Sequence, residues 1–259
     1  SKVFLENDPL QSQEYSGVWH YRDWAKNFKN YSSEDIGIDL VAKLRNEDGF
    51  CAIQCKFYQS DHSISKSDLD SFISAASTSD FKRLVLIDTS DKSLGKNSQK
   101  VFENLDKEFI RIKTSSIESS SIDWEKYLKE DGNIKFKPKK YLRDDQEMVK
   151  QKVLLGLKEH DRGKMIMACG TGKTLTSLRI AEEFAGKGKI VLFMVPSLAL
   201  MSQVVRDWKN DTNIDLLAFS ACSDSKVGNK KNIEDEFEFE LSDLQFPATT
   251  NPEKLSIQL

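Results

Sequence analysis

The sequence predicts an α/β protein in two parts: a mixed sheet with flanking helices, then part of a parallel sheet with helices on both faces. Three observations lead there. Helical and strand-like patterns alternate from about residue 15 to residue 130. The stretch "DGNIKFKPKK", 131–140, is rich in Gly, Pro and Lys and has no periodicity, which marks a linker. Beyond it the order strand, loop, helix repeats, as in parallel strands joined by crossover helices. The expected domains are therefore 1–130 and 141–259, a division that 259 residues can support.

In the first part, "VWHYRDWAKNF" sets Tyr21, Trp24 and Phe28 at helical spacing. Strands follow at Ile38–Lys43 and Phe50–Phe57, with a turn at "NEDG", 46–49. Ser65 and Asp68 form a capping box ahead of a helix that lines up Leu69, Phe72, Ile73 and Ala76. "RLVLIDTS" reads as a buried strand, Val101 to Leu105 as an amphipathic helix, "FIRI" as a short strand and "SIDWEKYLK" as a closing helix.

In the second part, "YLRDDQEMVKQKVLLGL" is helical and strand "KMIMA" runs into "CGTGKT". A helix to about Phe184, strand "KIVLFMV", a helix from Pro196–Ser197 to Trp208 and strand "IDLLAF" complete the pattern. Six acids within 234–243 suggest a solvated face or an inserted loop.

Composition excludes little. A net charge of −3 is compatible with a local basic groove, for which Lys26, Lys29, Lys66, Lys96 and Lys100 are candidates. Cys51, Cys55, Cys169 and Cys222 form no CxxC pair, and the three histidines are scattered, which argues against structural zinc and for a reduced, intracellular protein. No apolar run approaches the about 18 residues of a spanning helix, and the first residues are not a signal peptide.

"MACGTGKT", Met167–Thr174, is the sharpest signal. Gly170 and Gly172 let the chain curl so that successive N–H groups, Thr171's among them, face a phosphate. Lys173 adds a charge for the β and γ phosphates of ATP, and the Thr174 hydroxyl suits Mg²⁺. The following helix contributes its positive end. Met167 stands where the full Walker pattern has its first Gly. The stretch resembles the first motif of superfamily 2 helicases and translocases. "YLRDDQ" is similar to their upstream "LRxxQ" segment, which implies that Gln146 reads the adenine. "VPSLALMSQVVRDW" is similar to motif Ia, which contacts the nucleic-acid backbone. No strand ending in an Asp-Glu pair follows Ser220, so the resemblance implies a partial RecA-like lobe that holds ATP weakly and hydrolyses it poorly by itself.

On strand "FCAIQCKF", Ala52, Gln54 and Lys56 share one face and Cys51, Ile53, Cys55 and Phe57 the other. The second face is expected to be buried and the first half-exposed. A turn at 46–49 would bring Asp39 beside Gln54 and Lys56. Such a cluster suits phosphodiester hydrolysis: Asp39, the Gln54 oxygen and the Cys55 carbonyl can bind Mg²⁺ or Mn²⁺, and Lys56 can position water and offset charge on the phosphate.

Gly37-Ile38-Asp39 and Gln54-Cys55-Lys56 resemble the "GxD" and "QxK" of the Mrr-like branch of PD-(D/E)xK nucleases. The resemblance implies a further upstream acid, for which Glu14, Asp23 and Asp35 are candidates. A nuclease of this kind followed by a superfamily 2 motor resembles the N-terminal part of single-chain Type ISP restriction–modification enzymes. That implies double-stranded DNA as substrate, a second nuclease domain from another copy for cutting both strands, and downstream motor, methyltransferase and target-recognition domains. It also implies a prokaryotic, cytoplasmic setting with no membrane partner. The alternative is a repair or remodelling helicase whose nuclease-like domain only binds DNA. A small nucleotide-binding ATPase with a merely structural N-terminal domain is a second.

Overall fold

The computed structural model describes residues 1–28, 30–34, 36–103, 105–130, 132–222 and 244–258. Asp35, Lys29 and the acidic run 234–243 lie outside the described residues, as does the side chain of Lys96. The chain divides into two compact units, Ser1–Lys135 with Phe219–Leu259, and Phe136–Ala218.

The first unit is built on a five-stranded sheet in the order β1-β2-β3-β4-β5. These strands are β1 (Tyr15–His20), β2 (Leu40–Leu44), β3 (Phe50–Lys56), β4 (Phe81–Asp88) and β5 (Glu108–Lys113). The β1/β2 and β2/β3 pairs are antiparallel, and β3/β4 and β4/β5 parallel, so the sheet is mixed. Parallel neighbours need crossover connections. Helix α4 (Asp70–Ala75) lies in the first crossover and α5 (Lys96–Glu103) in the second. Two short helices, α1 (Lys2–Asn7) and α2 (Gln11–Glu14), precede the sheet, and α3 (Tyr21–Ala25) joins β1 to β2. After β5 come α6 (Thr114–Glu118) and α7 (Trp124–Lys129).

Two sequence expectations change here. The aromatic spacing from Tyr21 to Phe28 suggested helix throughout "VWHYRDWAKNF", but Val18–His20 end strand β1 and the helix stops at Ala25. Phe28 still stacks on Trp24, with ring centroids 4.6 Å apart. The second change matters more. The face of β3 bearing Ala52, Gln54 and Lys56 is not an open surface. Val41, Ala52, Leu84 and Leu86 pack under Trp24 and Phe72. On the other face Cys51, Ile53, Val85, Ile87 and Ile110 pack with Phe4 and Leu5. The crossover helices α4 and α5 bring Phe72 and Phe102 to the first face and α1 covers the second, which alternation along β3 alone does not reveal.

The second unit holds three helices where the sequence placed them: α8 (Asp144–Glu159), α9 (Lys173–Phe184) and α10 (Leu198–Asp211). The expected parallel sheet is absent among its described residues: 164–168, 189–195 and 214–218 carry no strand. A helix closes its own hydrogen bonds, whereas a strand needs a neighbour. Without one, Ile166 stays 90% exposed and Met194 84%. The helices pack through Leu178, Val204 and Trp208, and Trp208 Nε1 donates to the Thr174 carbonyl at 3.0 Å.

The predicted linker is fastened at both ends. Asp123 N–H donates to the Lys135 carbonyl at 2.8 Å in the first unit. In the second unit Lys140 pairs with Asp211 at 2.9 Å. By their contacts, described residues from Phe219 on group with the first unit. There Gln11 Nε2 donates to the Gln245 carbonyl at 2.9 Å, the Gln245 amide bonds Ser116, and Leu244 and Phe246 are buried. A last helix, α11 (Pro252–Gln258), follows. No helix among the described residues is long and apolar enough to cross a membrane.

Candidate active site and phosphate loop

The polar cluster forms where β2 begins and β3 ends. Leu40 pairs with Ile53. One step beyond, Asp39 N–H donates to the Ile53 carbonyl at 2.9 Å, so Asp39 stands across from Gln54 on one sheet face. Gly37, at φ +89°, turns the chain into this strand. A Cβ on it would meet Ser71 Oγ at 2.8 Å and the Phe72 amide at 3.0 Å, so the position excludes other residues. The Asp39 carbonyl accepts from Tyr21 N–H at 2.9 Å. Its carboxylate Oδ2 accepts from the Cys55 N–H at 2.7 Å. Asp39 is thus held on three sides, with its side chain open to solvent.

Gln54 is 4% exposed, and its Oε1 has no hydrogen-bond partner. Lys56, two residues on and therefore on the same face, is half-buried. The Cys55 thiol between them is pushed up by burial. Among the described residues no group of three His, Cys, Asp or Glu side chains gathers at one point. The donors at hand are one carboxylate, one amide oxygen and a main-chain carbonyl. All are hard oxygens, and Mg²⁺ commonly takes one or two carboxylates and completes its shell with water and substrate phosphate. The orphaned Gln54 oxygen fits that use.

Of the upstream acids, Glu14 is buried on the opposite face. Arg83, the partner of Cys51 in the sheet, bonds Glu14 at 3.1 Å and Glu108 at 2.6 Å. Burial pushes the Glu14 carboxyl up and Arg83 pulls it back. Asp23 is exposed, and its hydrogen bond to Lys26, at 3.0 Å, lowers its pKa. Lys66 and Lys100 are exposed.

A second polar group beside the cluster escaped the sequence reading. Asp88, the β4 partner of Lys56, is bonded by Arg111 from β5 at 2.7 and 2.9 Å. Its neighbour Thr89 ties down the chain after Lys56. The signal was Asp88 at the end of the apolar strand "RLVLID" and Arg111 within "FIRI".

In the second unit, Gly170 and Gly172 take φ +75° and +86°. Gly172 also lies under Gln146, whose Nε2 would sit 2.2 Å from an added Cβ. Gln146 is buried, not an exposed helix residue: it accepts from Arg143 N–H at 3.0 Å and donates to the Thr171 carbonyl at 2.8 Å. The Lys173 ammonium folds back onto the Met167 and Ala168 carbonyls at 3.1 and 2.8 Å. Thr174 opens the first turn of α9. Ser197 caps α10 by accepting from Leu200 N–H at 3.3 Å.

Comparison with known proteins divides the chain at about the same linker, although the second match extends past Phe219. Residues 6–134 match the Mrr_cat_2 family, described as "Restriction endonuclease". Residues 139–248 match ResIII, described as "Type III restriction enzyme, res subunit". The chain fuses an Mrr-like nuclease domain to a helicase-like domain. That fusion matches the N-terminal region of Type ISP restriction–modification enzymes. The solved ATP-dependent Type ISP enzyme LlaBIII, bound to DNA, is 32% identical over 98% of the chain, with a TM-score of 0.76. A nuclease-deletion mutant of the Type ISP enzyme LlaGI is 39% identical over 45% of the chain, with a TM-score of 0.35. A protein of Acanthamoeba polyphaga mimivirus that carries the name of an ATP-dependent RNA helicase is 37% identical over 73 residues, 28% of this chain. The chain spans 16% of the LlaBIII structure, 10% of the LlaGI structure and 14% of the mimivirus protein.

Proposed function

We propose that the nuclease domain hydrolyses phosphodiester bonds in double-stranded DNA with a divalent metal. The helicase-like domain, 141–259, would belong to an ATP-driven translocase that delivers it, the two serving restriction of foreign DNA. One observation carries this reading: a buried, unpartnered Gln54 oxygen stands across from Asp39 and two residues from Lys56. Leaving such a group unbonded costs about 1–3 kcal/mol, so its retention fits a site that gains its partner on binding.

Asp39, Gln54 Oε1 and the Cys55 carbonyl would hold Mg²⁺ or Mn²⁺, which would supply Lewis-acid activation of phosphate and water. Asp39 is fixed by its own backbone and by the Cys55 N–H, so its carboxylate need not reorganise during reaction. Lys56 would set its ammonium against a phosphate oxygen, hold the substrate in line with water and offset the growing charge. Water adds to phosphorus as the bond to the 3′ oxygen breaks, leaving a 5′-phosphate and a 3′-hydroxyl. One domain has one such centre, so cutting both strands calls for a second nuclease domain from another copy.

In the helicase-like domain, Gly170, Thr171 and Gly172 would cradle the phosphates of ATP. Lys173 would turn from the loop carbonyls to the β and γ phosphates, Thr174 would meet Mg²⁺ and Gln146 the adenine. The DNA bound to LlaBIII supports double-stranded DNA as the partner. Further motor, methyltransferase and target-recognition domains would complete the enzyme in a prokaryotic cytoplasm.

The test is cutting of supercoiled and linear DNA in Mg²⁺ or Mn²⁺ without ATP, beside Asp39→Ala and Lys56→Ala. The parent cuts and both variants lose it. Cutting that survives both substitutions refutes the assignment.

A further inference from the structure

Lys56 projects from the last residue of β3, where a strand end is free to move unless something holds it. Three residues outside the proposed metal set hold it. Asp88 is opposite Lys56 in the parallel β3/β4 pair, and Leu86 opposite Gln54, so all four side chains leave the sheet on one face. Asp88 and Arg111 form a bidentate ion pair with side-chain exposures of 0% and 2%. Asp88 Oδ1 also accepts from Ser90 N–H at 2.9 Å, and Arg111 bonds the Ser90 carbonyl at 3.4 Å. The 88–90 turn is thereby set. From it Thr89 reaches back to β3: its N–H donates to the Lys56 carbonyl at 3.2 Å. Its hydroxyl accepts from Tyr58 N–H at 2.8 Å and donates to the Tyr58 carbonyl at 2.6 Å.

A buried ion pair is a weak device for stability, since its desolvation cancels most of its attraction and apolar replacements of similar volume commonly serve as well. Its retention at the reactive end of the sheet calls for another role.

We propose that Arg111, Asp88 and Thr89 are positioning residues of the nuclease site: the buried pair shapes the 88–90 turn, and Thr89 clamps the backbone on both sides of Phe57 so that Lys56 is aimed at the scissile phosphate. This rests on the nuclease reading above and deepens it. Misplacing a reacting group by about 1 Å costs on the order of 100-fold in rate.

The experiment compares DNA cutting by the 259-residue chain with that of Asp88→Leu/Arg111→Met, Thr89→Val and Thr89→Ser, with Lys56→Ala as the blank. DNA affinity and the thermal melt are recorded for each. The paired substitution removes both charges, Met being close to Arg in size and Leu larger than Asp, and Thr89→Val exchanges the hydroxyl for a methyl. Expected are a folded double variant and a folded Thr89→Val that bind DNA as the parent does yet cut at least about 10-fold more slowly, kcat falling with KM unchanged. Thr89→Ser restores the rate. Should the double variant fail to fold, the Thr89 pair decides alone. Cutting by folded Thr89→Val within twofold of the parent overturns the proposal, as does an equal loss in Thr89→Ser. An inert parent instead overturns the nuclease reading, and this inference with it.

Discussion

In the first unit every strand from β1 to β5 has a neighbour, and both faces of the sheet are covered by helices and loops. In the second, three helices stand without a sheet, and the apolar segments between them leave Ile166, Leu192 and Met194 largely in solvent. The two regions have equally clear strand patterns in sequence. What separates them is supply of partners: β3 finds β2 on one side and β4 on the other, whereas "KIVLFMV" pairs with nothing among the described residues. A helix is a local object and a strand is not. The contrast extends to the sites. Asp39 and Gln54 are aligned by a completed ladder, while the phosphate loop, held by α8 and α9, has its lysine turned onto its own carbonyls.

The largest expected effect comes from removing the charge at the centre of the sheet's other face. Arg83→Ala leaves Glu14 buried beside Glu108 without its partner and costs the first unit about 3–5 kcal/mol in urea unfolding. A loss under about 1 kcal/mol would mean that the face opens to water more readily than its packing indicates.

Hydrogen exchange sharpens the comparison directly. Opening energies run from near zero to the full unfolding energy, so the amides of Val85 and Leu86 should exchange on the order of a thousandfold more slowly than those of Leu192 and Met194. Equal protection would show that 189–195 has a strand partner after all.

A smaller effect is expected at the capping box before α4. Asp68 Oδ2 accepts from Ser65 N–H at 2.8 Å and from its hydroxyl at 2.7 Å, and these bonds lower the Asp68 pKa below its ordinary 3.8. Asp68→Asn should cost about 1 kcal/mol at neutral pH. Because the folded pKa is the lower one, this contribution is present above pH 3.8 and fades as pH falls below it, where parent and variant melts should converge. A difference that is constant down to pH 2 would contradict the assignment.

The mildest probe is alkylation. Burial pushes the Cys51 thiol up to about 12, whereas Cys169 sits exposed in the phosphate loop. Cys169 should label first near pH 8, and Mg²⁺ with ATP should slow it. Labelling of Cys169 that ATP leaves unchanged would count against nucleotide at this loop.

Much of this was legible in the sequence, because the local rules were kept. The capping box at Ser65, the turn before β3, the helix after Gly172 and the alternation along β3 each follow from a few adjacent residues. The Asp39, Gln54 and Lys56 alignment was legible too, since strand pairing with a known turn sets the register. What could not be read is contact across distance. Arg83 meets Glu14 69 positions away and Arg111 meets Asp88 23 away, and nothing local announces either pair. Burial of Gln54 depends on helices that arrive from elsewhere in the chain. Strand β1 was hidden because Tyr21, Trp24 and Phe28 have helical spacing and α3 begins directly after His20.

The central claim is that Asp39 and Gln54 form a metal site which Lys56 serves without holding the metal. Mn²⁺ titration by paramagnetic resonance, without nucleotide or DNA, separates these roles. The parent and Lys56→Ala should bind Mn²⁺ alike, and Asp39→Asn should lose it. Undiminished binding by Asp39→Asn would contradict the account.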